Sequence, residues 1–166
     1  MIGKGKSISH GVAALEYDLA KEINGQAVAT EIARHELYGC TGAEMVQEMK
    51  PYHIDFPNVK NNCLRFEVSP SIEESATFTD ADWAELGNDF MQRMGLANHQ
   101  YIIIRHSGTE SKKEQAHLHI LANRVSLSGE LYRDNWIGKK ATEAANAIAK
   151  ERNFVQSQDI GKVNKA

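Results

Sequence analysis

Three of the seven histidines, His106, His117 and His119, fall within 14 residues. His117 and His119 stand two apart in a segment of strand character, Ala116–Ser126, so both side chains project from one face. His106 ends the preceding apolar run, Tyr101–His106. If these two strands pair as a hairpin, His106 lies beside His117 and three imidazoles converge. Three neutral imidazoles with coordination positions left open form a catalytic metal arrangement. Taken singly, each histidine reads better as a surface or hydrogen-bonded core residue than as a ligand. His10, His35, His53 and His99 show no such convergence and read as structural. A carboxylate often supports a site of this kind. Glu110 and Glu114 in the connecting segment and Glu67 on an earlier strand are the candidates, and their spacing does not choose among them.

Tyr17 is the second residue with chemistry to offer. Ile8, Val12, Leu15, Leu19 and Ile23 recur at helical spacing, and Tyr17 falls roughly 160° from the centre of that stripe. Its neighbours on that side are Ala13, Ala20 and Lys21. By itself this is an exposed tyrosine. Beside a metal site it gains a role. A phenol of pKa about 10 is a poor nucleophile until a base or a cation favours the phenolate. A metal that polarises a phosphodiester would let that oxygen attack phosphorus. The product would be a 5′-phosphotyrosine and a free 3′-hydroxyl.

These residues need elements to hold them. Met1–Lys6 has strand character despite Gly3 and Gly5. Ser7 or Ser9 can cap the helix that carries Tyr17. Residues 26–33 read as a strand, and a short helix spans Thr41–Lys50. Cys63–Ser69 alternates Leu64, Phe66 and Val68 with Arg65 and Glu67, a half-buried strand. Thr79 and Asp82 form a capping box for a helix with Trp83, Leu86, Phe90 and Met94 inward, stopped at Gly95. A last helix covers roughly Trp136–Arg152, with Ile137, Ala141, Ala144, Ala145 and Ile148 inward. The order β-α-β-α-β-α-β-β-α predicts an α+β fold, a central antiparallel sheet with helices packed mainly on one face. Residues 1–155 form one domain. Residues 156–166 lose apolar periodicity and read as a flexible tail or the start of a linker to a further C-terminal region.

A chain of 166 residues, 42% hydrophobic and 25% charged, suits one globular domain with a sizeable core. A secretory signal pattern and a membrane-length apolar run are both lacking, which points to the cytoplasm. Cys40 and Cys63 are far apart and read as two buried thiols rather than a disulfide. The net charge of −3 by itself disfavours nucleic acid. It is uneven, however. Residues 1–100 hold 8 Lys+Arg against 15 Asp+Glu, a net −7, and residues 101–166 hold 11 against 7, a net +4. The basic excess thus shares a half with the histidines. Lys4, Lys6, Arg105, Lys112, Lys113 and Arg124 are candidates for phosphate contacts. Tyr132, Trp136 and Lys139–Lys140 are further candidates for holding DNA, although Trp136 reads better as a core anchor of the last helix.

The pattern resembles the relaxase/mobilisation nuclease family of plasmids and integrative elements, the MobP type, from Met1 to about Phe154. The opening Met-Ile-Gly-Lys, Gly11-Val12 and the Tyr17 helix look like its first motif. Phe78-Thr-Asp through Asp89-Phe-Met-Gln-Arg-Met-Gly95 resembles its central helix. Tyr101-Ile-Ile-Ile-Arg-His106 with His117-Leu-His119-Ile-Leu-Ala-Asn123-Arg124-Val resembles its three-histidine motif. The resemblance implies an HUH-type endonuclease fold, with Tyr17 as nucleophile and His106, His117 and His119 holding magnesium or manganese. It also implies a single-stranded DNA substrate at an origin of transfer, Asn123, Arg124, Lys4, Lys6 and Arg105 as DNA contacts, and relaxosome accessory proteins as partners. Replication initiators and single-strand transposases share the chemistry but carry the tyrosine after the histidines, where only Tyr132 stands here. A catalytically inactive DNA-binding accessory protein and a structural metal domain are the readings from other classes.

Overall fold

In the computed structural model, residues 1–108 and 115–160 are described. The chain runs β1 (Ile2–Ile8), α1 (Gly11–Leu19), β2 (Glu22–Ile23), β3 (Gln26–Ala27), β4 (Ala29–His35), α2 (Gly42–Met49), β5 (Cys63–Ser69), α3 (Ile72–Ser75), α4 (Asp80–Arg93), β6 (Tyr101–His106), β7 (His117–Asn123) and α5 (Ile137–Glu151). Five strands form one antiparallel sheet in the order β1-β5-β7-β6-β4, and β2 with β3 forms a separate hairpin. The α+β architecture with a central antiparallel sheet is therefore as the sequence predicts.

Strand alternation divides the sheet into two faces. Leu64, Phe66, Val68, Leu118, Ile120 and Ile103 enter the larger core, where the two long helices supply Trp83, Leu86, Phe90, Ala141, Ala145 and Ile148. Thr79 and Asp82 cap α4 reciprocally, as their spacing predicts. The opposite face holds a smaller core, Ile8, Leu15, Met45, Met49, Cys63, Ile102, Ile104 and Leu121, under the short helices α1 and α2. Those helices cover only part of that face. No helix among the described residues is long and apolar enough to cross a membrane.

Gly3 and Gly5 do not weaken β1; they let α5 approach it. A Cβ on Gly3 would meet the Ala141 carbonyl oxygen and stand 2.7 Å from Ala145 Cβ, and one on Gly5 would stand 2.6 Å from the Phe66 ring. The expected strand over 26–33 is split instead. Asn24 and Gly25, at φ 53° and 77°, make the tight turn between β2 and β3, which suits their left-handed preference. Helix α1 also differs from its predicted phase. Ile8 ends β1, Val12 is exposed and Ile23 lies in β2. The helix begins after His10 with no side-chain cap, and its buried residues are Gly11, Ala14, Leu15 and Asp18.

Both thiols are free. Cys63 is buried, and burial pushes its pKa up to about 12, but Cys40 is exposed, contrary to the expectation of two buried thiols. The end of the domain is tied down. The Met1 amino group donates to the Val155 carbonyl, Val155 N donates to Glu74, and Ser157 N and Oγ donate to Asn146 Oδ1 at 2.9 and 3.1 Å. The rest of the expected tail, from 161 on, lies outside the described residues.

Candidate metal centre

The histidines converge because β6 and β7 pair in the register His106↔His117 and Ile104↔His119. Directly opposed residues share a face. The apolar residues further down that face, Ile102, Ile104 and Leu121, lie in the core under α1 and α2, and His106 and His117, also buried, adjoin them at the strand ends. One ligand atom from each of His106, His117 and His119 lies within 4.8 Å of the others. Ring centroids are 4.4 to 5.4 Å apart.

Hydrogen bonds settle the tautomer of two rings. His106 Nε2 is 2.7 Å from the Asp18 carbonyl oxygen, and His117 Nδ1 is 3.0 Å from the Gln115 carbonyl oxygen. A carbonyl only accepts, so both nitrogens carry the proton. That leaves lone pairs on His106 Nδ1 and His117 Nε2. The latter is 3.1 Å from His119 Nε2. Burial, opposed in part by Asp18, lowers the pKa of His106. Burial, then the charges of His106, His117, Arg65 and Lys21, lowers that of His119 to about 2. Neutral imidazoles with backbone-oriented outer nitrogens are what a divalent cation needs. A metal about 2.1 Å from each nitrogen holds two such nitrogens about 3 Å apart, close to the separation of the His117 and His119 pair. The donor set therefore fits a metal ion.

Asp18, next to Tyr17, organises the site, and the predicted helix phase hid it. It is 1% exposed. Its carbonyl holds His106, and its carboxylate binds Arg65 of β5 through Nη2 and, at 3.2 Å, Nε. The helix carrying Tyr17 is thereby locked to the centre of the sheet. Measured from the residues actually buried, Tyr17 sits about 110° from the centre of the inward arc, on the flank of α1 rather than its back. It is 57% exposed. Lys21 Nζ donates to its hydroxyl at 2.7 Å and lies 5.0 Å from its ring centroid. Lys21 also lowers the pKa of both His106 and His119. One cation thus acts on the phenol and on the imidazole cluster together.

A groove of about 220 Å³ leads from His119 to the sheet edge, lined by Lys4, Gly5, Lys6, Arg65, Phe66 and Glu67. The register Lys4↔Glu67↔His119 sets these side chains in one row. Lys4, Lys6 and Glu67, named from the sequence, are thus brought to the histidines. Glu110, Glu114, Lys112 and Lys113 lie outside the described residues.

Four other residues named from the sequence are held away from the histidines or engaged within the fold. Asn123 is 0% exposed. Its amide donates to Met49 O and Gln100 Oε1 and accepts from His53 and Val125 N, so it has no capacity left for DNA. Arg105 adjoins His106 in β6 and so points to the other face, where it binds Asp80 at the start of α4 at 2.7 Å. Trp136 is no core anchor. It is 78% exposed. Arg124 is engaged within the fold, with its guanidinium on the carbonyls of Tyr132 and Asn61 and on Asp134 at 3.3 Å.

Residues 17–154 match the family described as relaxase, MobA/VirD2-like, nuclease domain. The chain belongs to this relaxase family. The match begins at Tyr17 and takes in all three histidines. No curated protein matches the chain in sequence. A solved structure described as the molecular basis of vancomycin resistance transfer in Staphylococcus aureus is similar to this relaxase-family chain over 93% of its length and 95% of the other's, at 13% identity and a TM-score of 0.49.

Proposed function

We propose that this chain nicks one strand of DNA at an origin of transfer by metal-assisted transesterification. The observation that carries the reading is the three-imidazole cluster bonded, through the Asp18 carbonyl, to the helix that bears Tyr17. His106, His117 and His119 would hold a divalent cation, magnesium or manganese. When bound, the ion polarises the scissile phosphate and offsets charge on its oxygens. Lys21, already donating to the Tyr17 oxygen, stabilises it as phenolate; its proton passes to solvent, that oxygen attacks phosphorus, and the departing 3′-oxygen takes a proton from solvent. The P–O3′ bond breaks, giving a 5′-phosphotyrosine on Tyr17 and a free 3′-hydroxyl. Lys4 and Lys6 along the groove supply phosphate contacts for a single strand. Glu67, in register with His119, is the supporting carboxylate.

The test is a denaturing gel of the full chain with single-stranded oligonucleotides carrying the element's own origin, with manganese or magnesium. A metal-dependent protein–DNA adduct absent in Tyr17→Phe is the expected result. An adduct that survives Tyr17→Phe would move the nucleophile elsewhere. DNA binding with neither adduct nor cleavage would favour the inactive accessory protein.

A further inference from the structure

Trp136, unlike Trp83, stands outside the core. It precedes α5 with its backbone in the left-handed region, φ 60° and ψ 27°, and its side chain caps nothing. A non-glycine residue held there is strained, and such strain in a native fold persists where the surroundings impose it. Here they do. Asp134, two residues back, accepts from Ser7 Oγ at 2.7 Å, pairs with Arg124 and accepts from Ile137 N at 3.1 Å. The indole is thereby held out in solvent instead of packing inward.

Its surroundings are basic. Trp136 lines a shallow hollow of about 270 Å³ with Lys139, Lys140 and Glu143. Lys140 lies 5.4 Å from the Tyr132 ring centroid. Arg133 is exposed beside it. The hollow lies on the α5 side of the sheet and the groove on the other, and the two meet at β1. The first turn of α5 rests on Gly5, with its Gly138 Cβ position 3.7 Å from Gly5 O, and Gly5 also lines the groove. β1 is an edge strand. From His119 to β1 is two strand spacings, about 10 Å, and α5, which Trp136 precedes, packs on β1 from the opposite face.

We infer that Trp136 is a stacking platform for a base of single-stranded DNA, several nucleotides from the cleaved phosphate, on a track running from the histidines along Lys4 and Lys6 and around the β1 edge to Lys139 and Lys140. An exposed π-face flanked by cations is how proteins hold single strands without reading sequence. Around the indole Arg133, Lys139 and Lys140 outnumber Glu143, which pairs with Lys139 at 4.0 Å, and this excess of cations favours nucleic acid over a protein partner. The assignment rests on the DNA reading above but not on nicking.

Indole fluorescence tests it, because Trp83 is buried at 2% exposure and Trp136 is not. The full chain is titrated with oligothymidylate without metal, so no cleavage is needed. The wild type should show quenching on binding. Trp136→Ala should lose the quench and bind about 5- to 100-fold more weakly, in line with the loss of one base stack, while Trp136→Phe keeps most of the affinity. Trp136→Gly, which removes the left-handed strain, should melt higher than the wild type yet bind as weakly as Trp136→Ala. That pairing separates a binding role from a folding role. Unchanged affinity and quench in Trp136→Ala, with or without a change in melting, overturns the assignment. Loss of the metal-dependent adduct in the nicking assay, with the quench intact, would remove the nuclease reading and leave this one standing.

Discussion

Asp18 shows how much one side chain can carry. Its carboxylate is buried against Arg65, which is about one-fifth exposed. Removing one partner of a buried pair leaves the other uncompensated, at a cost of several kcal/mol when both are fully buried. With Arg65 partly in water, Asp18→Ala should cost about 2 kcal/mol by urea denaturation. Asp18→Asn, which can still accept from the guanidinium, should cost less. Both variants should also weaken metal binding, because α1 is the element that presents the Asp18 carbonyl to His106. The cluster itself makes a sharper prediction. Manganese should raise the melting temperature of the wild type, since a ligand that binds only the folded state stabilises it, and His119→Ala should abolish that rise. A metal-induced shift that survives in His119→Ala would place the ion elsewhere. The histidines were legible in the sequence because two-residue spacing on a strand is unambiguous. Asp18 was not, because the apolar residues at 8, 12 and 23 suggested a longer helix in a different phase. A polar residue in the run Gly11, Ala14, Leu15, Asp18 is a signal visible only once the helix start is known.

At the level of elements, the contact between α5 and β1 sets the edge of the groove. Gly3→Ala offers a direct test with two opposing terms. Alanine lowers unfolded-chain entropy, which favours folding by about 0.4–1 kcal/mol. Its Cβ also collides with the Ala141 backbone and Ala145, and overpacking of this kind typically costs about 1–3 kcal/mol. The collision should win, giving a net loss of about 1 kcal/mol or more, and Ala145→Gly should recover part of it in the double variant. Strict additivity of the two substitutions would show that they do not share this contact. Helices α4 and α5 were legible because each carries a full apolar stripe, and α4 also carries a capping box. β2 and β3 were passed over, although Asn24-Gly25 is a strong hairpin signal, because residues 26–33 read as one continuous weak strand. Trp136 was misjudged because indoles are usually buried on average, and nothing in its local spacing reveals a left-handed backbone.

At the scale of the molecule, the sheet has unequal faces. One is sealed by α4 and α5 and supplies most of the core. The other is sealed only where α1 and α2 reach: His106 and His117 are buried at the margin of that cover, and the groove opens beside His119. The charge split between chain halves does not map onto this arrangement. The groove cations Lys4, Lys6 and Arg65 come from the acidic half, and it is the fold that gathers them. This design has a cost in acid. Burial lowers the pKa of His99, against the pull of its bond to the Asn123 carbonyl, and burial likewise lowers those of His106 and His119. Above the ordinary histidine value of about 6.5, all three are neutral folded or unfolded, and their contribution to stability is complete. As pH falls through 6.5 the unfolded chain takes up protons that the folded chain refuses. Stability must then fall with pH, by at most about 1.4 kcal/mol per pH unit for each refused proton. His119, held down to about 2, keeps refusing through the whole acid range. Metal-free protein should therefore melt progressively lower between pH 7 and 5. His99→Gln, lying outside the metal cluster, should flatten that slope by one proton's share, whereas the wild-type slope retained in full would show that His99 titrates normally in the fold.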